Sequence, residues 1–135
     1  MFPSSYKAMY DLSIAVNKSS LTPVQKVLIK IRASQINGCA FCLDMHTTDA
    51  LNIGEKKERI FHLNAWKESG LFSKEEKAML ALVEEVTLIH NKGLSDATYR
   101  QAQEFFNEEK IAEIIMTTVV INAWNRISIS TNAPF

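Results

Sequence analysis

The chain has 135 residues, the length of one domain, and 47% hydrophobic content, enough to bury a core. Fifteen basic and fifteen acidic residues cancel to no net charge, which argues against nucleic acid or an anionic membrane surface as a partner. Two cysteines do not make a secreted disulfide scaffold.

The N-terminus has no basic start followed by an apolar block, and no apolar run is long enough to span a bilayer. The expectation is therefore a soluble, cytoplasmic protein. Four glycines and three prolines give little punctuation, and no Val/Ile/Thr-rich run alternates. The spacing predicts an all-α, single-domain helical bundle over 1–135, with about seven helices.

The first helix is expected from Ser5 to about Lys18, with Tyr6, Met9, Tyr10 and Ile14 on its apolar side. Thr22-Pro23-Val24-Gln25 is a start signal, with Thr as N-cap, Pro at the first helical position and Gln three residues after the cap. That second helix runs to about Ile36. A third opens near Cys39 and closes near Asn52. A fourth covers Glu55 to Ser69, turns Ile60, Phe61, Leu63 and Trp66 inward, and stops at Gly70. Ser73 to Glu76 is a capping box for a fifth helix through about His90, and Asn91-Lys92-Gly93 ends it. Ser95 caps a sixth helix to about Phe106. The seventh, from Glu108 to about Ser130, is apolar at Ile111, Ile114, Ile115, Val119, Ile121 and Trp124, more apolar surface than so small a chain needs. That excess suggests burial against a second copy.

The chemistry concentrates in SQINGCAFCLDMH, Ser34 to His46. Asn37-Gly38 is a break, and Cys39 then stands at a helix start. Cys39 to Cys42 is three residues and Cys42 to His46 is four, so all three share a stripe. Cα atoms three apart on a helix are roughly 5 Å apart, within reach of a disulfide. The helix N-terminus favours thiolate over thiol, and a neighbouring imidazole can take a thiol proton and return it to a leaving group. The dipole favours Cys39 as nucleophile and the imidazole favours Cys42, so spacing leaves the choice open.

Two other readings compete. Two buried helical cysteines need have no task, but the histidine at the next position of the stripe argues against that. Zinc held by Cys39, Cys42 and His46, with His62 or His90 as fourth ligand, is the other. Structural zinc usually gathers ligands from separated elements, whereas these lie within two turns of one helix. His62 and His90 have no partner at helical spacing. Glu84 and Glu85 read as a solvated edge, or else as proton partners of the stripe. Asn122, Asn125 and Arg126 lie in an apolar stretch and need partners, as helix caps or as bridges between helices or subunits.

Arg32 to Ala50 (RASQINGCAFCLDMHTTDA), Gly54 to Ile60 (GEKKERI), Ala81 to Ile89 (ALVEEVTLI) and Ile121 to Ile129 (INAWNRISI) resemble the conserved blocks of the alkylhydroperoxidase D-like (AhpD-like) / carboxymuconolactone decarboxylase family. The likeness spans about Tyr6 to Ile129. It implies a helical oligomer, often a hexamer, and a peroxidase that needs no cofactor. By that resemblance Cys42 attacks the peroxide, Cys39 resolves, and His46 belongs to the proton relay. A dithiol partner, lipoylated or thioredoxin-like, then restores the thiols. The family's hydroperoxidases carry a relay glutamate twelve residues before the first cysteine; here that position is Val27, which implies a slower enzyme. The decarboxylase branch fits less well, since it does not rely on the cysteine pair. The alternative to an enzyme is a redox-responsive oligomer whose disulfide controls partner binding.

Overall fold

Seven α-helices and no strand make up the described residues, 2–134, of the computed structural model. They are α1 (Pro3–Asn17), α2 (Pro23–Asn37), α3 (Ala40–Asn52), α4 (Lys57–His62), α5 (Lys74–Thr87), α6 (Asp96–Gln103) and α7 (Glu108–Ser130). The all-α fold of the AhpD-like type is what the sequence implies. None of these helices is long and apolar enough to cross a membrane.

The starts follow local chemistry. Thr22 Oγ1 accepts from the Gln25 N–H at 3.1 Å while Gln25 Oε1 accepts from the Thr22 N–H at 2.9 Å, closing the expected box. Ser73 and Glu76 repeat it at 3.1 and 2.9 Å. Ser95 and Asn107 cap α6 and α7 through their side-chain oxygens. α1 instead starts at Pro3, two residues before the expected Ser5, because proline fits the first turn. Ser5 is not its cap and donates its hydroxyl back to the Phe2 carbonyl.

The fourth helix is where expectation fails. α4 ends at His62, a 3-10 turn covers Leu63–Ala65, and no helix reaches Ser69. A 3-10 turn aligns residues three apart, which lets Leu63 and Trp66 both face the core, at 0% and 5% exposure. Phe61, expected inward, is 71% exposed. Arg59 holds this shortened segment in place: its guanidinium donates to Glu55, to Glu76 on α5 and to the Leu71 carbonyl, and stacks on Phe72 at 4.9 Å. α5 likewise stops at Thr87, three residues short of His90.

α2 is the central helix and packs against α3, α5 and α7. Leu28, Ile29 and Ile31 of α2 meet Met79, Leu82 and Val83 of α5 and Ile111 and Ile114 of α7 in one buried cluster. α7 spends Ile111, Ile114, Val120 and Ile121 within its own chain, so less of it is left for a second copy than its sequence suggests. What faces out is Met116, Val119 and Ile129, beside Tyr10, Leu12 and Ile14 of α1, a helix with no buried residue.

A polar network crosses the core behind α2. Asn37 Nδ2 donates to Asn122 Oδ1 and to Asn125 Oδ1, both at 2.9 Å. Asn125 Nδ2 donates to Ser34 Oγ at 3.0 Å, and Asn122 Nδ2 to Thr87 Oγ1 at 3.0 Å. Asn122 and Asn125 thus bridge helices within the chain, and Asn125 is fully buried. Arg126 donates to the Asn122 side chain from the surface. Asn125→Ala should strip one acceptor from Asn37 and one donor from Ser34 in a buried setting, at a cost of about 1–3 kcal/mol. Urea denaturation measures it, and a wild-type midpoint would refute the network's stabilising role.

Candidate functional site

The turn from α2 to α3 places the first cysteine. Gly38 closes α2 in the left-handed region, at φ 69°, where a side chain would be strained. Its N–H reaches the Gln35 carbonyl at 3.3 Å, and the Cys39 N–H reaches the Ser34 carbonyl at 3.1 Å. Cys39 is therefore the cap of α3 rather than its first residue, and its Sγ accepts from the Cys42 N–H at 3.3 Å. The Cα atoms of Cys39 and Cys42 are 5.3 Å apart, and a disulfide joins the pair. Both are buried, at 1% and 3% exposure.

His46 follows one turn later, its side chain mostly buried. Asp49 Oδ2 lies 3.5 Å from His46 Nδ1, an ion-pair distance without hydrogen-bond alignment, and Nδ1 is otherwise unpartnered. Burial and the charge of Lys30 push the His46 pKa below its ordinary 6.5, against a smaller opposing pull from Asp49. Both effects favour the neutral imidazole.

A cavity of about 420 Å³ opens beside this stripe. Its lining includes Cys42, His46 and Lys30 together with the apolar groups of Tyr10, Trp124 and Ile127. The Tyr10 and Trp124 rings lie 5.2 Å apart, and Trp124 Nε1 donates to Ser13 Oγ at 2.7 Å, fixing the indole. Cys39 is not among the lining residues. A reagent in the cavity meets Cys42 first, with Cys39 bridged behind it.

Several expected participants stand elsewhere. His62 and His90 are exposed, and the His62 Nδ1 lies 3.3 Å from Ser69 Oγ. Among the described residues no three His, Cys, Asp or Glu side chains are grouped to hold a metal ion. Glu84 is neither a solvated edge nor a lining residue of the cavity. Its carboxylate accepts from Arg32 at 2.7 Å and from Trp66 Nε1 at 3.0 Å. Burial raises its pKa, but these hydrogen bonds and the Arg32 charge leave it lowered overall. Glu85 accepts from the Ser95 N–H at 2.8 Å, at the start of α6. Val27 is buried in the apolar cluster and does not line the cavity.

Lys30 and Tyr10 were not singled out in the sequence as site residues, and Trp124 reads there as core or interface. Lys30 did carry a signal: it interrupts the apolar run Val27 to Ile31. Tyr10 and Trp124 reach the site only through the packing of α1 on α7.

The site thus combines, on one helix of an all-α bundle, a Cys-x-x-Cys disulfide at the helix start and a histidine on the next turn. The chain belongs to the carboxymuconolactone decarboxylase family, whose model matches residues 3–85. It is 45% identical over 128 residues to the Bacillus subtilis protein YdfG, covering 95% of this chain and 87% of that one. It superposes with a TM-score of 0.95 and 36% identity on ATU0492 of Agrobacterium tumefaciens, a candidate AhpD antioxidant defence protein, covering 98% and 90% of the two chains. The debrominase Bmp8 shares the fold, with a TM-score of 0.86 at 17% identity over 98% of this chain and 72% of its own.

The histidine gives a test. The His46 titration midpoint, followed by NMR, should fall below 6.5, and Asp49→Asn should lower it further by removing the group that pulls it up. Because the unfolded chain binds this proton first, the His46 contribution to stability should decline as pH drops through 6.5. A midpoint at or above 6.5 would contradict the burial argument.

Proposed function

We propose that the chain is a cofactor-free, thiol-dependent hydroperoxide reductase of the antioxidant type. The observation that carries this reading is that Cys42, not Cys39, lines the cavity together with His46, with Cys39 within bridging distance. The Cys42 thiol gives its proton to His46. The thiolate attacks the terminal peroxide oxygen; the O–O bond breaks, Cys42 becomes a sulfenic acid, and the alkoxide takes the proton back from His46. The Cys39 thiol condenses with the sulfenic acid, forming the disulfide and releasing water. A dithiol, lipoylated or thioredoxin-like, then reduces the bridge and is itself oxidised. The 36% identity to ATU0492 supports the antioxidant reading. The expected site of action is the cytoplasm.

A peroxide-consumption assay with several dithiol donors tests this directly. Many equivalents should be consumed per chain; a single equivalent would instead indicate a redox sensor. Cys42→Ser should abolish turnover, while Cys39→Ser should leave a sulfenic acid on Cys42 that a probe labels in peptide mapping. Label on Cys39 in the Cys42→Ser protein, with peroxide still consumed, would reverse the roles.

The same reading includes a homo-oligomer, a hexamer by family likeness, with α1 and the outer side of α7 covered. Support comes from the outward Tyr10, Leu12, Ile14, Met116 and Val119. Light scattering at low concentration checks it, and a stable monomer would refute it.

A further inference from the structure

Among the described residues, Lys30 is the one Lys, Arg, Asp or Glu side chain lining the cavity. It sits on α2, half-buried, and lines the cavity together with Cys42 and His46 of α3. We propose that the Lys30 ammonium is the charge that stabilises the Cys42 thiolate, which makes Lys30 a positioning residue for the thiol chemistry.

Three observations support the assignment. The ammonium is tethered: Lys30 Nζ donates to Asn17 Oδ1 at 3.0 Å, and Lys26 Nζ donates to the Asn17 carbonyl at the end of α1. The bond to the Asn17 side chain fixes the Lys30 ammonium beside the end of α1, while Lys26 caps that helix end. The cavity is walled largely by apolar groups, so a charge inside it is poorly screened. And the surroundings leave Lys30 without a close rival. α1 brings Tyr10 to the cavity, α2 brings Lys30 with Lys26 one turn earlier, α3 brings His46 with Asp49 beside it, and α7 contributes neutral residues only. Asp49 is the opposing charge, but its side chain is 54% exposed, where water and salt weaken its field.

After burial, the same charge is the next cause that lowers the His46 pKa. A cation that favours the thiolate disfavours the imidazolium. A proton taken from Cys42 is then held loosely by His46 and is readily passed to a leaving alkoxide. Lys30 pays for this position: burial and Lys26 draw its own pKa down, with Asp49 pulling it back up between them in strength.

The proposal rests on Cys42 being the reactive thiol but not on peroxide turnover, so its test uses alkylation. Iodoacetamide labelling of Cys42 is followed against pH in the Cys39→Ser protein. Lys30→Met, which keeps the apolar stem, should raise the midpoint by about one pH unit and slow labelling near pH 7 about tenfold. Lys30→Arg should stay within a few tenths of the parent. Circular dichroism melting establishes that each variant is folded. Should truncation at Lys30 unfold the chain, Asn17→Ala on the exposed end of α1 frees the ammonium from its tether and should raise the midpoint by a smaller amount. An unmoved midpoint in a folded Lys30→Met or in Asn17→Ala overturns the proposal, as does a Lys30→Arg shift as large as that of Lys30→Met. Peroxide is absent from this assay, so failure here leaves the reductase reading standing, and failure of that reading leaves this result standing.

Discussion

The hydrogen bonds that Asn37 gives to Asn122 and Asn125 are the constraint on which the site depends. They fasten the last residue of α2 to the middle of α7 in the interior. The chain must then reverse at once, and Gly38 is the residue that lets it. Cys39 follows as the cap of α3, so the position of the first sulfur is inherited from an amide network it does not touch. Buried amides are costly when unpaired. The network therefore tolerates little slippage of α3 along α2, and slippage by one residue would rotate Cys42 away from the cavity.

The walls of the cavity have different origins and different stiffness. α2 and α3, which carry Lys30, Cys42 and His46, are anchored in the central cluster with α5. Arg32, Glu84 and Trp66 brace the far side of α2 through a half-buried ion pair and an indole hydrogen bond. The rest of the lining is shared between α7, which packs on α2 and α5, and α1, which buries no residue of its own and is held mainly by α7. Cys42, His46, Lys30 and the α7 residues thus sit on well-anchored elements, and only the α1 part of the lining, with Tyr10, has few anchors.

Much of this was legible in the residues. The capping boxes at Thr22 and Ser73 work through neighbours three positions away, and such local chemistry survives in any fold. The stripe Cys39, Cys42, His46 was legible for the same reason, since helix geometry alone sets it. The misreadings arose where tertiary packing decides. The pattern from Glu55 to Ser69 looks helical, but Leu63 and Trp66 share one side only in a tighter turn, and Phe61 is left outside. Glu84 could be read as edge or relay because its partner Arg32 is 52 residues away. Lys30 was hidden in an apolar run, since what it faces depends on how α1 ends against α2.

Both sulfurs of the Cys39–Cys42 bridge are almost fully covered, and only the Cys42 side borders open space. Thiol–disulfide exchange requires a thiolate to approach one sulfur in line with the bond. For this bridge the open approach is along the cavity, to the Cys42 side. An incoming dithiol must present its sulfur through the cavity, so the shape of the group that carries that sulfur bears on exchange alongside the ambient potential.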